Sequence, residues 1–166
     1  MSLLIAKKYL EKLGKANRII TFTVSTATVS LAALALGVNE GQIAKTLAFQ
    51  NGLQAMVIIT AGDVKIDNAK FKAEFGFKAR MLNPEETFFY TNHEVGGVCP
   101  FGMKVETAIY LDRSLLAYEV IYPACGDAAS AVKLTPEELS QIVPYQKWID
   151  VCKPKEKNNE SFQQAN

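Results

Sequence analysis

The sequence has 166 residues, of which 49% are hydrophobic and 21% are charged. These proportions are typical of one ordinary globular domain with a sizeable core, and no apolar run is long enough to span a bilayer. The formal net charge of +1 argues against a protein that grips long nucleic-acid tracts through many phosphate contacts. Contact with a nucleic-acid end stays open.

The cysteine and histidine content sets the expected compartment and metal content. Cys99, Cys125 and Cys152 form no CxxC pair, one is left over in any disulfide scheme, and His93 is the single histidine. We therefore expect a reduced, cytoplasmic protein without a structural metal or a cofactor. The N-terminal apolar stretch precedes its lysines, the reverse of a secretory signal, and no membrane partner is expected.

The first half of the chain alternates helix signals with strand signals. In chain order we predict a helix capped by Ser2 and ending near Gly14, a strand at 19–24, a helix from Thr28 or Ser30 to Gly37, a turn at 40–44, a strand at 45–49, a hairpin at Asn51 and Gly52, a strand at 55–60 and a helix from Asp67 or Asn68 to Phe75.

The second half is richer in short strands, and its ends are polar. In chain order we predict a strand at 79–82, a helical turn at Pro84, an irregular loop at 96–102, strands at 108–111, 119–124 and 130–134, and a helix opened by Thr135 and Pro136. The polar composition from Lys153 onward predicts a disordered tail at 153–166 after a domain at 1–152. Hairpins join strands as often as helices do, which favours a mixed α+β fold over a doubly wound parallel sheet.

Lys45 is the first candidate functional residue. Side chains two apart on a strand share a face, so Lys45 should point with Leu47 and Phe49. An ammonium group at the rim of an apolar pocket could hold an anion or a carbonyl oxygen. The same pattern also fits a lysine at a strand end that reaches out to water.

The 96–102 loop is the second candidate, because it holds three glycines and Pro100. Glycines allow close approach of the backbone, and proline restrains the chain. Several N–H groups could therefore point at one oxygen atom, as in an oxyanion hole. A purely structural turn uses the same residues, and the pattern is not that of a Walker phosphate loop.

Cys99 and His93 are the third candidate, a thiol and an imidazole on one segment. Such a pair can act as nucleophile and base, although both residues are more often structural. No second histidine and no evident carboxylate pair support a conventional triad. An enzyme built on this sequence would work mainly by positioning and electrostatics.

An ordered set of motifs resembles the YbaK/prolyl-tRNA synthetase editing-domain family. The motifs are the helix at 28–38, the lysine segment at 42–49, the turn at 62–67, the G-x-x-x-P loop from Gly96 to Pro100, and the closing strand and helix at 126–139. The resemblance covers about residues 3 to 150. It implies a mixed, barrel-like sheet with surrounding helices and an aminoacyl-tRNA deacylase that acts in trans.

The resemblance also implies the site. The partner would be the acceptor end of aminoacyl-tRNA, with prolyl-tRNA synthetase as a candidate second partner. Lys45 would bind near the ester, and the loop would direct its backbone at the carbonyl oxygen. The implied catalytic residues are Lys45, Gly96, Gly97, Val98, Cys99 and Pro100, and the implied substrate-binding residues are Thr28, Thr46, Gly102, Gly126 and Asp127.

One departure from the family bears on the choice of amino acid. Some cysteine-deacylating members carry an acid in the closing strand where this chain has Ala131, and Asp127 is the nearest acid. Cys-tRNA(Pro) and Ala-tRNA(Pro) are thus both expected substrates. Two alternatives stay open: a binding module of the same fold without catalysis, and a thiol hydrolase that uses Cys99 and His93.

Overall fold

A mixed β-sheet lies between two hydrophobic cores in the computed structural model, which describes residues 2–104 and 106–155. The helices are α1 Ser2–Lys12, α2 Val29–Leu36, α3 Asn68–Phe75, α4 Pro84–Thr91 and α5 Pro136–Ile142. The strands are β1 Ile19–Thr21, β2 Ile43–Asn51, β3 Gln54–Ala61, β4 Val64–Ile66, β5 Ala108–Asp112, β6 Tyr122–Pro123, β7 Ser130–Val132, β8 Trp148–Ile149 and β9 Cys152–Pro154.

The main sheet has the order β6-β2-β3-β5-β8. The β2–β3 hairpin is antiparallel, and the other neighbouring strands of this sheet run parallel. β1 pairs with β7, and single bridges join Ile121 to Leu134 and Ala124 to Ala131, so β7 continues the sheet beyond β6. β4 pairs with β9 in a separate ribbon. The predicted mixed α+β class is confirmed.

Local sequence signals account for the long elements. The hairpin turns at Gly52, whose φ of +63° suits a residue without a Cβ atom. Thr28, Asp67 and Thr135 each accept a backbone N–H bond at a helix start, as predicted. Pro84 opens a full helix through Thr91, which is longer than the predicted turn.

β2 and β3 divide the interior because their side chains alternate between two faces. Ala44, Ala48 and Val57 belong to the first core, which α1 and α5 cover. Phe49 and Ile58 belong to the second core, which α3 and the β4–β9 ribbon cover. β3 is buried from Ala55 to Ala61, because both of its faces are packed.

Several predicted strands are wrong in extent. The 79–82 segment makes only one bridge, between Met81 and Phe49, because Asn83 already caps α4. The 119–124 strand shortens to Tyr122–Pro123, where proline lacks the N–H that a longer ladder needs. β1 ends at Thr21 instead of residue 24, and β7 ends at Val132 instead of residue 134.

The predicted tail begins too early. Lys153 and Pro154 pair with Lys65 and Val64, since the hydrophobic side chains of β4 and Cys152 pack on the second core. The remainder of the predicted tail, 156–166, lies outside the described residues. Among the residues described, no helix is long and apolar enough to cross a membrane.

Candidate active site

A cavity of about 410 Å³ opens at the edge of β2. Its walls come from five parts of the fold: α2 and the segment before it, the first six residues of β2, the start of α4 and the residues before it, the 95–98 segment, and the β6–β7 region. The lining residues are Thr26, Ala27, Thr28, Val29, Ala32, Ile43, Ala44, Lys45, Thr46, Leu47, Ala48, Met81, Leu82, Pro84, Thr87, Val95, Gly96, Val98, Tyr122, Ala124, Ser130 and Ala131.

The cavity lies where β2 changes neighbours. β2 pairs with β6 as far as Ala44, and the Ala48 carbonyl accepts a hydrogen bond from the Leu82 N–H at 3.0 Å. Even-numbered residues of β2 therefore turn their peptide groups toward this edge, since peptide direction alternates along a strand. Thr46 occupies the interval between the two neighbours, and its side chain lines the cavity.

Lys45 lies on the opposite face from Thr46, with Leu47 and Phe49, as predicted from alternation. It lines the cavity, and its ammonium group donates a hydrogen bond to the Val64 carbonyl. Burial, with a smaller contribution from the nearby Lys155 charge, lowers the pKa of Lys45 to about 8. Lys45 is the one ionisable lysine, arginine or carboxylate among the described lining residues.

The 96–102 loop reaches the cavity through Gly96 and Val98. The Gly97 N–H donates to the Glu94 carbonyl at 3.0 Å, and Pro100 has no N–H. A Cβ atom on Gly97 would lie 2.5 Å from the backbone of Asp127, so only glycine allows this close approach. Gly97 and Pro100 thus shape the loop from outside the cavity lining.

Cys99 and His93 are brought together, away from the cavity. The sulfur lies 3.5 Å from His93 Nε2, and both side chains are 0% exposed. Burial raises the pKa of the Cys99 thiol and lowers the pKa of His93. His93 Nε2 lies 2.7 Å from the Phe101 carbonyl oxygen. When Nε2 carries the ring proton, it donates a hydrogen bond to that oxygen. This pair is therefore packed as part of the core.

Three other predicted residues support the walls. Asp127 Oδ1 accepts from the Ala129 N–H at 2.9 Å and from the Ser130 hydroxyl at 2.7 Å, which ties the turn after β6 together. The backbone of Gly126 lies near the Cys99 thiol and partly offsets the burial that raises the pKa of that thiol. Gly102 packs against Ile5 of α1. None of the three is among the cavity-lining residues that the structure describes.

Small side chains form part of the cavity wall, since Ala44, Ala48, Ala124 and Ala131 all line it. No carboxylate is among the described lining residues, and Asp127 is engaged in its own turn. Within residues 2–104 and 106–155, no group of three His, Cys, Asp or Glu side chains is placed to hold a metal ion.

Sequence reasoning missed Thr26, Tyr122 and Ser130 as lining residues. Their segments are far apart in the chain, and the pairing of β1 with β7 brings them together. Thr26 lies after β1, where its N–H donates to the Ala128 carbonyl at 2.6 Å. The sequence near Thr26 has no motif that would have indicated this contact.

Comparison with known proteins gives a consistent result. The sequence profile of the aminoacyl-tRNA editing domain matches residues 23–142. The uncharacterized protein YwhH of Bacillus subtilis is 47% identical over 154 residues, which are 92% of this chain and 98% of YwhH.

Two further relatives carry a suggested activity. EbsC of Enterococcus faecalis, named as a candidate Cys-tRNA(Pro)/Cys-tRNA(Cys) deacylase, is 30% identical over 109 residues, 64% of this chain and 66% of EbsC. A crystal structure described as a candidate trans-editing enzyme for prolyl-tRNA synthetase superposes with a TM-score of 0.82 at 30% identity. That superposition covers 92% of this chain and 97% of the other.

Proposed function

This chain belongs to the aminoacyl-tRNA editing domain family, and from that premise we propose that it is a cytoplasmic deacylase that hydrolyses the ester of mischarged tRNA in trans. Cys-tRNA(Pro) and Ala-tRNA(Pro) are the proposed substrates. The observation that carries the proposal is the cavity at the edge of β2, where Lys45, Thr46 and the 96–102 loop meet. The acceptor end of tRNA is the proposed ligand, and prolyl-tRNA synthetase is a proposed partner.

The proposed reaction uses water as its nucleophile, because the thiol of Cys99 is buried outside the cavity. The water oxygen bonds to the carbonyl carbon, and the bond from that carbon to the ribose oxygen breaks. One proton of the water passes to the departing ribose oxygen, and a free amino acid and tRNA result. The family resemblance implies that the neighbouring ribose hydroxyl would assist this water. It also implies one other nucleophile, the substrate's own thiol, when the amino acid is cysteine.

The proposed stabilisation of the transition state comes from two sides of the cavity. Gly96 and Val98 are the loop residues that line the cavity, so their N–H groups are the proposed donors to the carbonyl oxygen. Lys45 would exchange its bond to the Val64 carbonyl for an oxygen of the ester or the terminal ribose. Its pKa of about 8 leaves most molecules protonated at neutral pH.

The small lining residues support a small amino acid as the bound group. Ala32, Ala44, Ala124 and Ala131 leave room for a short side chain, and these apolar walls alone do not force a choice between alanine and cysteine. A difference of one small apolar group is worth only about 1–3 kcal/mol of discrimination in such a site.

A panel of radiolabelled aminoacyl-tRNAs tests the proposal. The purified protein is mixed with Cys-tRNA(Pro), Ala-tRNA(Pro) and Pro-tRNA(Pro), and ester loss is followed over time. Selective loss of a mischarged species supports the deacylase and names its substrate. Binding of the acceptor end without ester loss, at every protein concentration, would instead indicate a non-catalytic binding module.

A further inference from the structure

Five hydroxyl side chains of threonine and serine line the cavity, and three of them are engaged in the fold. The Thr28 hydroxyl accepts from the Leu31 N–H at 3.2 Å, which caps α2. The Thr87 hydroxyl donates to the Asn83 carbonyl at 2.8 Å. The Ser130 hydroxyl donates to Asp127 at 2.7 Å. These three groups need no ligand.

The hydroxyls of Thr26 and Thr46 differ from the other three. Both Oγ1 atoms are buried and have no hydrogen-bond partner among the described protein groups. Thr26 is only 6% exposed, although it lines the cavity. Buried hydroxyl groups are normally paired, because removing one from water without a partner is unfavourable.

The backbone holds both threonines in place. The Thr26 N–H donates a hydrogen bond to the Ala128 carbonyl. The next residue, Ala27, packs against Gly96, since a Cβ atom added to Gly96 would lie 3.3 Å from Ala27 Cβ. Thr46 is fixed by its register opposite Ile59 in the β2–β3 hairpin. The main chain at both positions is therefore fixed by contacts within the protein.

We propose that the hydroxyls of Thr26 and Thr46 bind a neutral hydroxyl or thiol group of the molecule held in the cavity. The inference rests on the proposed function and extends it to Thr26, which has no place in the loop or the lysine segment. The partner should be neutral: the described lining holds no carboxylate for a cation, and its one lysine, Lys45, lies on the opposite face of β2 from Thr46. A charged group bonded only to the two hydroxyls would therefore lose its hydration without compensation. In an aminoacyl-tRNA end, such groups come from the terminal ribose or from the amino-acid side chain.

Binding of a non-hydrolysable analogue tests this without relying on turnover. The probes are adenosines that carry alanine, serine or cysteine through a 3′-amide, and their affinity is measured by calorimetry. Thr26→Val and Thr46→Val remove one hydroxyl each at nearly constant shape. We expect affinity to fall about tenfold in each variant, because a hydrogen bond to the ligand is lost. Thr26→Ser and Thr46→Ser should restore most of it.

Thermal unfolding gives a second readout that separates a binding role from a structural one. Each valine variant should melt about 1–3 °C above the wild type, because an unpaired buried hydroxyl has been removed. Thr91→Val is the matched control: its buried hydroxyl is bonded to the Thr87 carbonyl within α4 and is not part of the described cavity lining, so the variant should keep its affinity and melt no higher than the wild type.

The probes also distinguish the two sources of the bound group. If the ribose is bound, the loss in the valine variants disappears when the probe lacks its 2′-hydroxyl. If the side chain is bound, the loss is present with the serine and cysteine probes and absent with the alanine probe. Valine variants that bind every probe as tightly as the wild type would overturn this inference alone, whereas a wild-type protein that binds no probe would overturn the proposed function as well.

Discussion

Two regions of the molecule hold groups that could take part in chemistry. One region is packed inside the core, and the other lines a cavity. Around Cys99 and His93, a thiol and an imidazole lie 3.5 Å apart and are fully buried. At the edge of β2, the described cavity lining holds no thiol or imidazole, but it includes a lysine, two unpaired hydroxyls and a glycine loop. Unpaired polar atoms occur in both regions, since His93 Nδ1 also has no partner among the described groups, but only Thr26 and Thr46 lie in the wall of a cavity that a ligand can enter.

The difference follows from how each region is solvated. A buried thiol keeps its proton, so the Cys99 pKa is raised and the thiolate is disfavoured. The cavity instead leaves hydrogen-bonding capacity for a ligand to use. Protein stability is reduced slightly by unpaired hydroxyls, and functional sites are where such a cost is usually retained.

Removal of the Lys45 ammonium should give the largest effect. In Lys45→Ala, we expect kcat/KM for deacylation to fall about 100-fold or more, because a charge near the developing oxyanion is lost. Single-turnover ester hydrolysis measures it, and circular dichroism should show an intact fold. Lys72→Ala, on the exposed surface of α3, is the control. Full activity in Lys45→Ala would show that the lysine has no catalytic part.

A methyl group on Gly97 should displace the loop that carries Gly96 and Val98, although Gly97 itself does not line the cavity. Its Cβ atom would lie 2.5 Å from the Asp127 backbone, so Gly97→Ala should lose about 2 kcal/mol of folding free energy and more than tenfold in kcat/KM. Urea unfolding and the deacylation assay measure both quantities. Gly52→Ala is the control, because a Cβ atom added to Gly52 in the hairpin turn would meet no other atom within 4 Å. This variant should lose stability, since the φ of Gly52 is positive, and it should keep its activity. Equal activity losses in the two variants would contradict the specific role of the loop.

The pH dependence of kcat/KM shows which protonation state of Lys45 is active. If the Lys45 ammonium is the working form, kcat/KM corrected for the buffer rate is flat below pH 8 and falls about tenfold per unit well above it. An activity that rises through pH 8 would indicate the neutral amine.

Stability should move in the other direction with pH. The folded pKa of Lys45 lies below its usual value of 10.5, so the unfolded chain binds more protons between pH 8 and 10.5. Folding stability from this group therefore increases over that window. Urea unfolding of the wild type and of Lys45→Ala at both ends of the window measures the contribution, which should be absent in the variant.

The smallest effect is expected in the buried region. Cys99→Ser should deacylate within about twofold of the wild type and lose about 1–2 kcal/mol of stability, because a hydroxyl replaces a buried thiol. Iodoacetamide should leave the activity of the native protein unchanged. Loss of turnover in a folded Cys99→Ser variant would support the thiol hydrolase instead.

The sequence indicated much of the fold through local signals. The caps at Thr28, Asp67 and Thr135 and the turn at Gly52 act within a few residues, so they can be identified without tertiary contacts. β4, β8 and β9 could not, because strands of two or three residues are stabilised by partners far away in the chain.

The site was predicted less completely, for a similar reason. Thr46 and Gly96 belong to motifs, and the structure places both on the cavity wall. Thr26 reaches the same wall only because β1 pairs with β7. The separation of Cys99 from the cavity is also a property of packing, which residue types alone do not determine.

The most direct test of the central claim is to locate a bound substrate analogue. Backbone amide signals of the labelled protein are followed by NMR while the amide-linked alanyl-adenosine is added. We expect the largest shifts at Thr26, Thr46, Gly96 and Val98, with small changes around His93. Shifts concentrated at His93 and Cys99, or no shifts at the cavity, would contradict it.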